Sequence, residues 1–322
     1  MSATAQAAQH VEQAAQHVEQ AAQHVEQAAQ HVEEDRMSEA PEAAPARADC
    51  VADSAGGLTF HIADRARPGP GGHDDWSGAL VLVRRGAADT PDGEVRLPLG
   101  PTADGRLQAA LPSTVALPEG RWDVHVAHRD TEPRRLAPGL NDLRSLVDRR
   151  PGPSTNPLSV RIPYATKHGN LSLRSWRRAP HAEAGEIRLE DGTMAVRGRL
   201  YRVAYPSEWL AEAVVEARCR RSAAPVRTAP LVVDGPDFSF TLSYAELARS
   251  WDGGAQVWDL WLRPADESMA PARLARILDD VADKKEIFTY PPRTVSGPHG
   301  EAQAQPYYTR DNDLAVRIEA PA

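Results

Sequence analysis

The second half of the chain repeats the first. Pro163, Tyr164, Thr166, Lys167, Leu171 and Arg174 return in register as Pro306, Tyr307, Thr309, Arg310, Leu314 and Arg317. Upstream, Trp122-Asp123-Val124-His125-Val126 is answered by Trp258-Asp259-Leu260-Trp261-Leu262, and residues 95–111 align without a gap on residues 226–242. Self-similarity of this length sets the architecture before any side-chain chemistry is read, because each copy must build the same unit.

The unit reads as β. Leu58-Thr59-Phe60-His61-Ile62, Ala79-Leu80-Val81-Leu82-Val83 and Leu107-Gln108-Ala109-Ala110-Leu111 are short apolar or alternating runs, separated by clusters such as Pro68-Gly69-Pro70-Gly71 and Pro151-Gly152-Pro153. Short runs with turn residues between them favour strands over helices. Alternation along the Trp-Asp strand puts Trp122, Val124 and Val126 on one face and Asp123 and His125 on the other, and the second copy repeats this with Trp258, Leu260 and Leu262. Asp191-Gly192, flanked by alternating residues, is the strongest hairpin signal, and Lys167-His168-Gly169-Asn170 forms a second turn. The run from Arg273 to Val281 lacks proline and has helical spacing, so a short helix is expected there, with a turn or frayed helix at its counterpart from Arg135 to Leu143. The expected fold is mainly β: tandem immunoglobulin-like antiparallel β-sandwiches, one over residues 57–179 and one over 180–322.

Residues 1–56 are expected to lie outside these modules. Residues 7–33 repeat Ala-Ala-Gln-His-Val-Glu-Gln with a period of seven, which reads either as a coiled-coil helix with oligomerisation through it or as a disordered tail left by a slipped coding repeat. Alanine at the second seam position buries little area, so a lone helix would be marginal. The shared-face histidines His10, His17, His24 and His31 are about 10 Å apart along a helix axis, too far for two of them to hold one metal. Residues 37–57 are rich in Ala, Pro, Glu and Asp and read as a linker that includes Cys50.

The net charge of −8 resides in that tail, where ten acids face two arginines in residues 1–56 while the remainder balances at 35 against 35. A balanced remainder offers no field for nucleic acid. Residues 151–230 do carry 13 basic side chains against seven acids, enough for a local basic face. Two cysteines, Cys50 and Cys219, make no disulfide framework, and no apolar run reaches membrane-spanning length, so a cytoplasmic protein without a membrane span is expected. His73-Asp74-Asp75 lacks the spacing of a closed metal site, and no phosphate loop, Gly-x-Ser-x-Gly or dinucleotide fingerprint occurs, so no metal, cofactor or catalytic residue is assigned.

The densest polar cluster is Tyr164, Lys167, His168 and Asn170, followed by Trp176, Arg177 and Arg178. These seven are the candidate binding residues, with the basic groups on a phosphate and the indole against a sugar. The run Tyr164-Ala165-Thr166-Lys167-His168-Gly169-Asn170-Leu171-Ser172 resembles the strand that closes β-sandwich accessory regions of actinobacterial glycosyltransferases and CDP-glycerol glycerophosphotransferases, which build teichoic-acid-type wall polymers. The stretch from Trp176 to Glu186 is similar to the linker between such modules. The resemblance covers residues 58–319 and is specific over 162–200; in the second copy Gly-Asn-Leu-Ser has become Asn312-Asp313-Leu314-Ala315. High alanine, arginine and proline content is similar to that of actinobacterial proteins. In that family the nucleotide-binding catalytic domain is a separate α/β unit. The resemblance therefore implies a non-catalytic module that binds a partner transferase or an anionic glycopolymer precursor. Two other readings remain open: a transferase or hydrolase with a site between the modules, and a structural scaffold whose tail sets oligomer size.

Overall fold

The computed structural model describes residues 45–63, 78–128, 132–147, 149–220 and 225–321. The heptad tail and the His73-Asp74-Asp75 loop lie outside them. Among the described residues the first half contributes β1 (Arg47–Ala52), β2 (Leu58–Ala63), β3 (Gly78–Arg84), β4 (Glu94–Pro98), β5 (Gly100–Pro101), β6 (Leu107–Leu111), β7 (Gly120–His128), β8 (Arg134–Arg135), β9 (Ala137–Asp142), β10 (Leu158–Ala165) and β11 (Leu171–Arg178). The second contributes β12 (His181–Glu190), β13 (Thr193–Tyr201), β14 (Val214–Cys219), β15 (Arg227–Pro230), β16 (Val232–Asp234), β17 (Asp237–Ser243), β18 (Gln256–Arg263), β19 (Ala272–Ala275), β20 (Arg293–Gly297), β21 (Gly300–Tyr308) and β22 (Leu314–Glu319). Two five-residue helices, α1 (Pro206–Leu210) and α2 (Tyr244–Ala248), interrupt the second half. No described helix is long and apolar enough to cross a membrane.

The sequence repeat is a repeat of topology. One sheet runs β5-β6-β2-β1-β9 and is matched by β16-β17-β13-β12-β19, down to the parallel pairing of β1 with β9 and of β12 with β19. The other runs β10-β11-β7-β3-β4 and is matched by β21-β22-β18-β14-β15. The register agrees residue for residue where the copies align: Ser172 pairs with Asp123 and Leu173 with Trp122, as Ala315 pairs with Asp259 and Val316 with Trp258. In the second half β19 bonds to both β12 and β18 and so joins the two sheets into one path, with β20 added at its edge.

Each half buries its own core. Trp122 and Trp258 are fully buried, with Val124, Val126, Leu260 and Leu262, as their strand alternation requires. An indole that buries about 200 Å² contributes roughly 5 kcal/mol of gross transfer free energy, so this strand anchors each copy. The hairpin at Asp191-Gly192 joins β12 to β13 through Glu190 and Thr193, and Gly192 takes a φ of 75°, open to glycine at little cost.

Two expectations are corrected. The stretch read as linker contains β1: Ala48, Cys50 and Ala52 alternate into the first core, and Cys50 is fully buried. Their side chains are small, so the alternation is easily mistaken for a low-complexity run. The compact unit thus begins at Ala46, ahead of the expected boundary. The helix expected from Arg273 to Val281 is strand β19 followed by a loop, and its counterpart forms β8 and β9. Bonding to β12 and β18 supplies the backbone partners that a helix would have provided internally, and tertiary pairing overrides local propensity.

The end of β19 and the loop after it tie the halves together. Ala275, Ile277 and Leu278 insert into the first half's core. The Glu183 carboxylate accepts from the backbone N–H groups of Ile277 and Leu278 at 3.0–3.1 Å, and His181 contacts the same carboxylate at 2.7 Å. Asn312, fully buried at a φ of 58°, accepts from Lys284 N and donates to Val281 O, and the buried Lys284 ammonium bonds Asp279 at 2.6 Å.

Candidate functional site

Asp123 points outward because its strand neighbours Trp122 and Val124 point in. On that outer face it lies beside Ser172 of β11 and within reach of Arg85, which follows β3, and of Arg135 on β8. Arg85 donates to Asp123 Oδ1 from Nε at 2.7 Å, Arg135 Nη1 is 2.7 Å from the same oxygen, and the Ser172 hydroxyl donates to it at 3.0 Å. Ser172 Oγ in turn accepts from both arginines, at 2.8 and 3.2 Å. Burial alone would push the Asp123 carboxyl up, but the hydrogen bonds from Arg85, Arg135 and Ser172 and the charge of Arg135 hold it below the ordinary carboxylate value. One carboxylate between two guanidiniums leaves the triad with a net positive charge.

The turn between β10 and β11 closes over this triad. Thr166 N–H donates to Asn170 O, Gly169 N–H to Thr166 O, and Asn170 N–H to Thr166 Oγ1, while Gly169 takes the φ of 75° that the reversal needs. The turn exposes Lys167 and His168 and leaves Tyr164 and Asn170 half-buried. With Arg121, and with Arg310 and Asp283 from the second half, these residues line a cleft of about 710 Å³. Arg121 donates to the backbone carbonyl of Arg310 at 3.1 Å, which fixes the second-half contribution. Arg85, Arg121, Arg135, Lys167 and Arg310 stand against Asp123 and Asp283. Among the described residues no carboxylate lies within ion-pair distance of Arg121, Lys167 or Arg310. Among the described residues these three cations face the cleft outside any ion pair, an arrangement suited to an anion.

Four of the seven expected binding residues, Tyr164, Lys167, His168 and Asn170, meet in this cleft. Trp176 does not. Its ring is fully buried and its indole N–H donates to Asp311 O across the junction of the halves at 2.9 Å, so no face is open to a sugar. Arg178 is also removed from ligand duty: it bonds Glu119 at 2.6 Å in the first half and Asp313 at 2.8 Å in the second. Arg177, between them on β11, is exposed on the opposite face and lines no part of the cleft. Strand alternation separates the three: only Arg177 can meet solvent freely.

Arg85, Arg121, Asp123, Arg135 and Arg310 were missed by reading local clusters. They come from four strand regions and both halves, and contiguity in sequence does not reveal them. The signal was present in the alignment, where an Asp after tryptophan and an Arg before Leu-Ala recur in both copies at outward positions.

No family model matches the chain, and no curated protein matches it. Among solved structures, a crystal structure of a fragment of S. aureus TarS aligns with a TM-score of 0.36 and 12% identity, over 45% of this chain and 40% of that one. A longer S. aureus TarS structure aligns with a TM-score of 0.35 and 11% identity, over 55% of this chain and 30% of that one. A marsupial T cell receptor aligns with a TM-score of 0.19 and 8% identity, over 70% of this chain and 95% of that one. The chain thus spans less than half of either TarS structure.

Proposed function

We propose that this chain is an accessory binding protein of the cytoplasm, built as two tandem immunoglobulin-like sandwiches, that holds an anionic glycopolymer precursor of the teichoic-acid type for a partner transferase. The observation that carries the reading is the cation excess of the cleft, five basic side chains against Asp123 and Asp283, with Arg121, Lys167 and Arg310 in no ion pair among the described residues. A phosphodiester chain presents separated single charges, and dispersed cations on half-open walls suit it better than a closed cage. Each charge-assisted hydrogen bond to a phosphate oxygen contributes about 1.5–3 kcal/mol. Tyr164 adds an apolar wall for the carbon skeleton. The resemblance of residues 162–200 to modules of wall-polymer transferases supports the choice of polymer.

Calorimetric titration with a glycerol-phosphate oligomer tests this. Saturable binding is expected, weakened at least tenfold by Arg121→Glu with Lys167→Glu, and weakened by raising salt as exposed charges are screened. Absence of binding, or binding indifferent to both changes and to salt, would refute the reading.

A second reading, a transferase in its own right, is favoured by one observation: the cleft is lined from both halves, with His168 on the same wall system as Asp283. Turnover of CDP-glycerol by the purified protein, abolished by His168→Ala, would establish it, and the absence of turnover would end it.

A further inference from the structure

The second half contains the counterpart of the cleft, and the two copies differ at the point where an anion would sit. Arg220, Asp259 and Arg273 repeat Arg85, Asp123 and Arg135. Arg220 N–H donates to Val257 O as Arg85 N–H does to Arg121 O, and both Arg220 and Arg273 bond Asp259. The turn is also repeated, with Thr309 N–H donating to Asp313 O at 2.8 Å, and Asn312 taking the positive φ of Gly169. Apart from Asn312 these groups line a cleft of about 470 Å³, which Arg310 borders as well.

The last residue of the turn is Asn170 in the first copy and Asp313 in the second. Asp313 Oδ2 stands 3.1 Å from Arg273 Nε, and Oδ1 bonds Arg178 at 2.8 Å, so Arg273 faces two carboxylates. Arg135 faces one, and its buried Nε has no hydrogen-bond partner. Neither Nε makes a well-directed hydrogen bond within the chain, but only Arg273 has a second anion at hand. The amide of Asn170 is neutral and cannot take that role.

We infer that the second half is a self-occupied copy of an anion site that the first half leaves open, and that a phosphate group of the ligand seats on Arg135 beside Asn170, where Asp313 seats on Arg273. A tetrahedral phosphate fits better than a carboxylate because its remaining oxygens can reach the unpaired Lys167 and Arg310. The inference rests on the anion-binding reading of the cleft and adds the seat and the residue that keeps it open.

Titration of the full chain with inorganic phosphate, with acetate as comparator, tests it. The wild type should bind one phosphate, and acetate at least tenfold more weakly. Asn170→Asp, which installs the second copy's residue at a turn known to accept it, should weaken phosphate at least tenfold. His168→Asp, the same added charge two residues earlier, should weaken it two- to threefold. Asp313→Asn, shown to be folded by its thermal transition, should raise the stoichiometry from one to two. No phosphate binding by the wild type, acetate binding as tightly as phosphate, equal weakening by Asn170→Asp and His168→Asp, or a stoichiometry of one in folded Asp313→Asn would each overturn the inference. If Asn170→Asp abolishes phosphate binding while the wild type ignores the glycerol-phosphate oligomer, the seat stands and the glycopolymer reading falls. If the oligomer binds and Asn170→Asp leaves it unaffected, the seat alone falls.

Discussion

Neighbouring arginines on β11 should respond in opposite ways to the same substitution. Arg177 is exposed and has no ion pair among the described residues, whereas the Arg178 side chain is only 14% exposed and bonds Glu119 at 2.6 Å and Asp313 at 2.8 Å. Methionine retains most of the buried stem volume and removes the charge and donors. Breaking a buried pair by deleting one partner costs about 3–5 kcal/mol because the other charge is stranded. Two features reduce this: Asp313 keeps Arg273, and the Glu119 side chain, 34% exposed, can rehydrate. Arg178→Met should therefore cost about 3 kcal/mol, and Arg177→Met no more than about 0.5 kcal/mol, as for other surface changes. With a urea m-value of about 3 kcal/mol/M, Arg178→Met lowers the unfolding midpoint by about 1 M. Fluorescence-detected urea unfolding of both variants beside wild type reads this directly. Equal midpoints for the two would refute the assignment of Arg178 to the junction and return it to the list of free cations.

The junction and the triad give two more expectations. Ile277 belongs to the second half in sequence but is fully buried in the core of the first, so Ile277→Ala should cost about 2–5 kcal/mol and speed hydrogen exchange in β10 and β11; a loss of protection confined to the second half would contradict the packing. The Asp123 carboxyl, held below its ordinary value by Arg85, Arg135 and Ser172 against the effect of burial, contributes stability that is present above the unfolded carboxylate pKa of about 3.9 and is lost as pH falls through the lower folded value. The advantage of wild type over Asp123→Asn should therefore shrink steadily as pH falls from about 5 to about 2, and a difference constant over that range would show that the ionised carboxylate is not what the arginines stabilise.

How far the sequence was readable follows from how local each determinant is. Buried tryptophans with alternating partners, Trp122 and Trp258 above all, announce strands because side-chain direction has a period of two whatever lies across the sheet. Duplication then carries topology, since Pro163 to Arg174 and Pro306 to Arg317 fall on matching strand pairs. Strand β1 was hidden because its inward residues are Ala48, Cys50 and Ala52, whose small side chains give little hydrophobic contrast. The run after Arg273 misled for another reason: helical spacing is a weak preference, and β12 and β18 offered its backbone better-placed partners. Of the candidate site, the turn residues were legible and the triad beneath them was not. Trp176 and Arg178 were misassigned because residue type shows what a side chain can bind, while burial against Asp311 and Asp313 decides what it does bind.

Comparison between the copies separates structure from function in a way that neither copy permits alone. An arginine–aspartate–arginine triad on the same three strand regions of both halves ties β7 to β3 and β8, and β18 to β14 and β19. Its retention in both places is explained by fold stability, because it closes the outer face of a sheet whose inner face is the core. What the copies do not share needs a different cause. Asn170 and Asp313 sit at the same turn position with the same backbone bonds, so the turn is indifferent to the choice. Asp313 is used, by Arg178 and Arg273, to lock the junction. With Asn170 the first copy gives up that anion beside Arg135 while Lys167 lines the same cleft, and Arg310 of the second half borders both clefts. Arg135 facing one carboxylate, beside a twin in Arg273 that faces two, is the physical ground on which the proposal puts the anion in the first half.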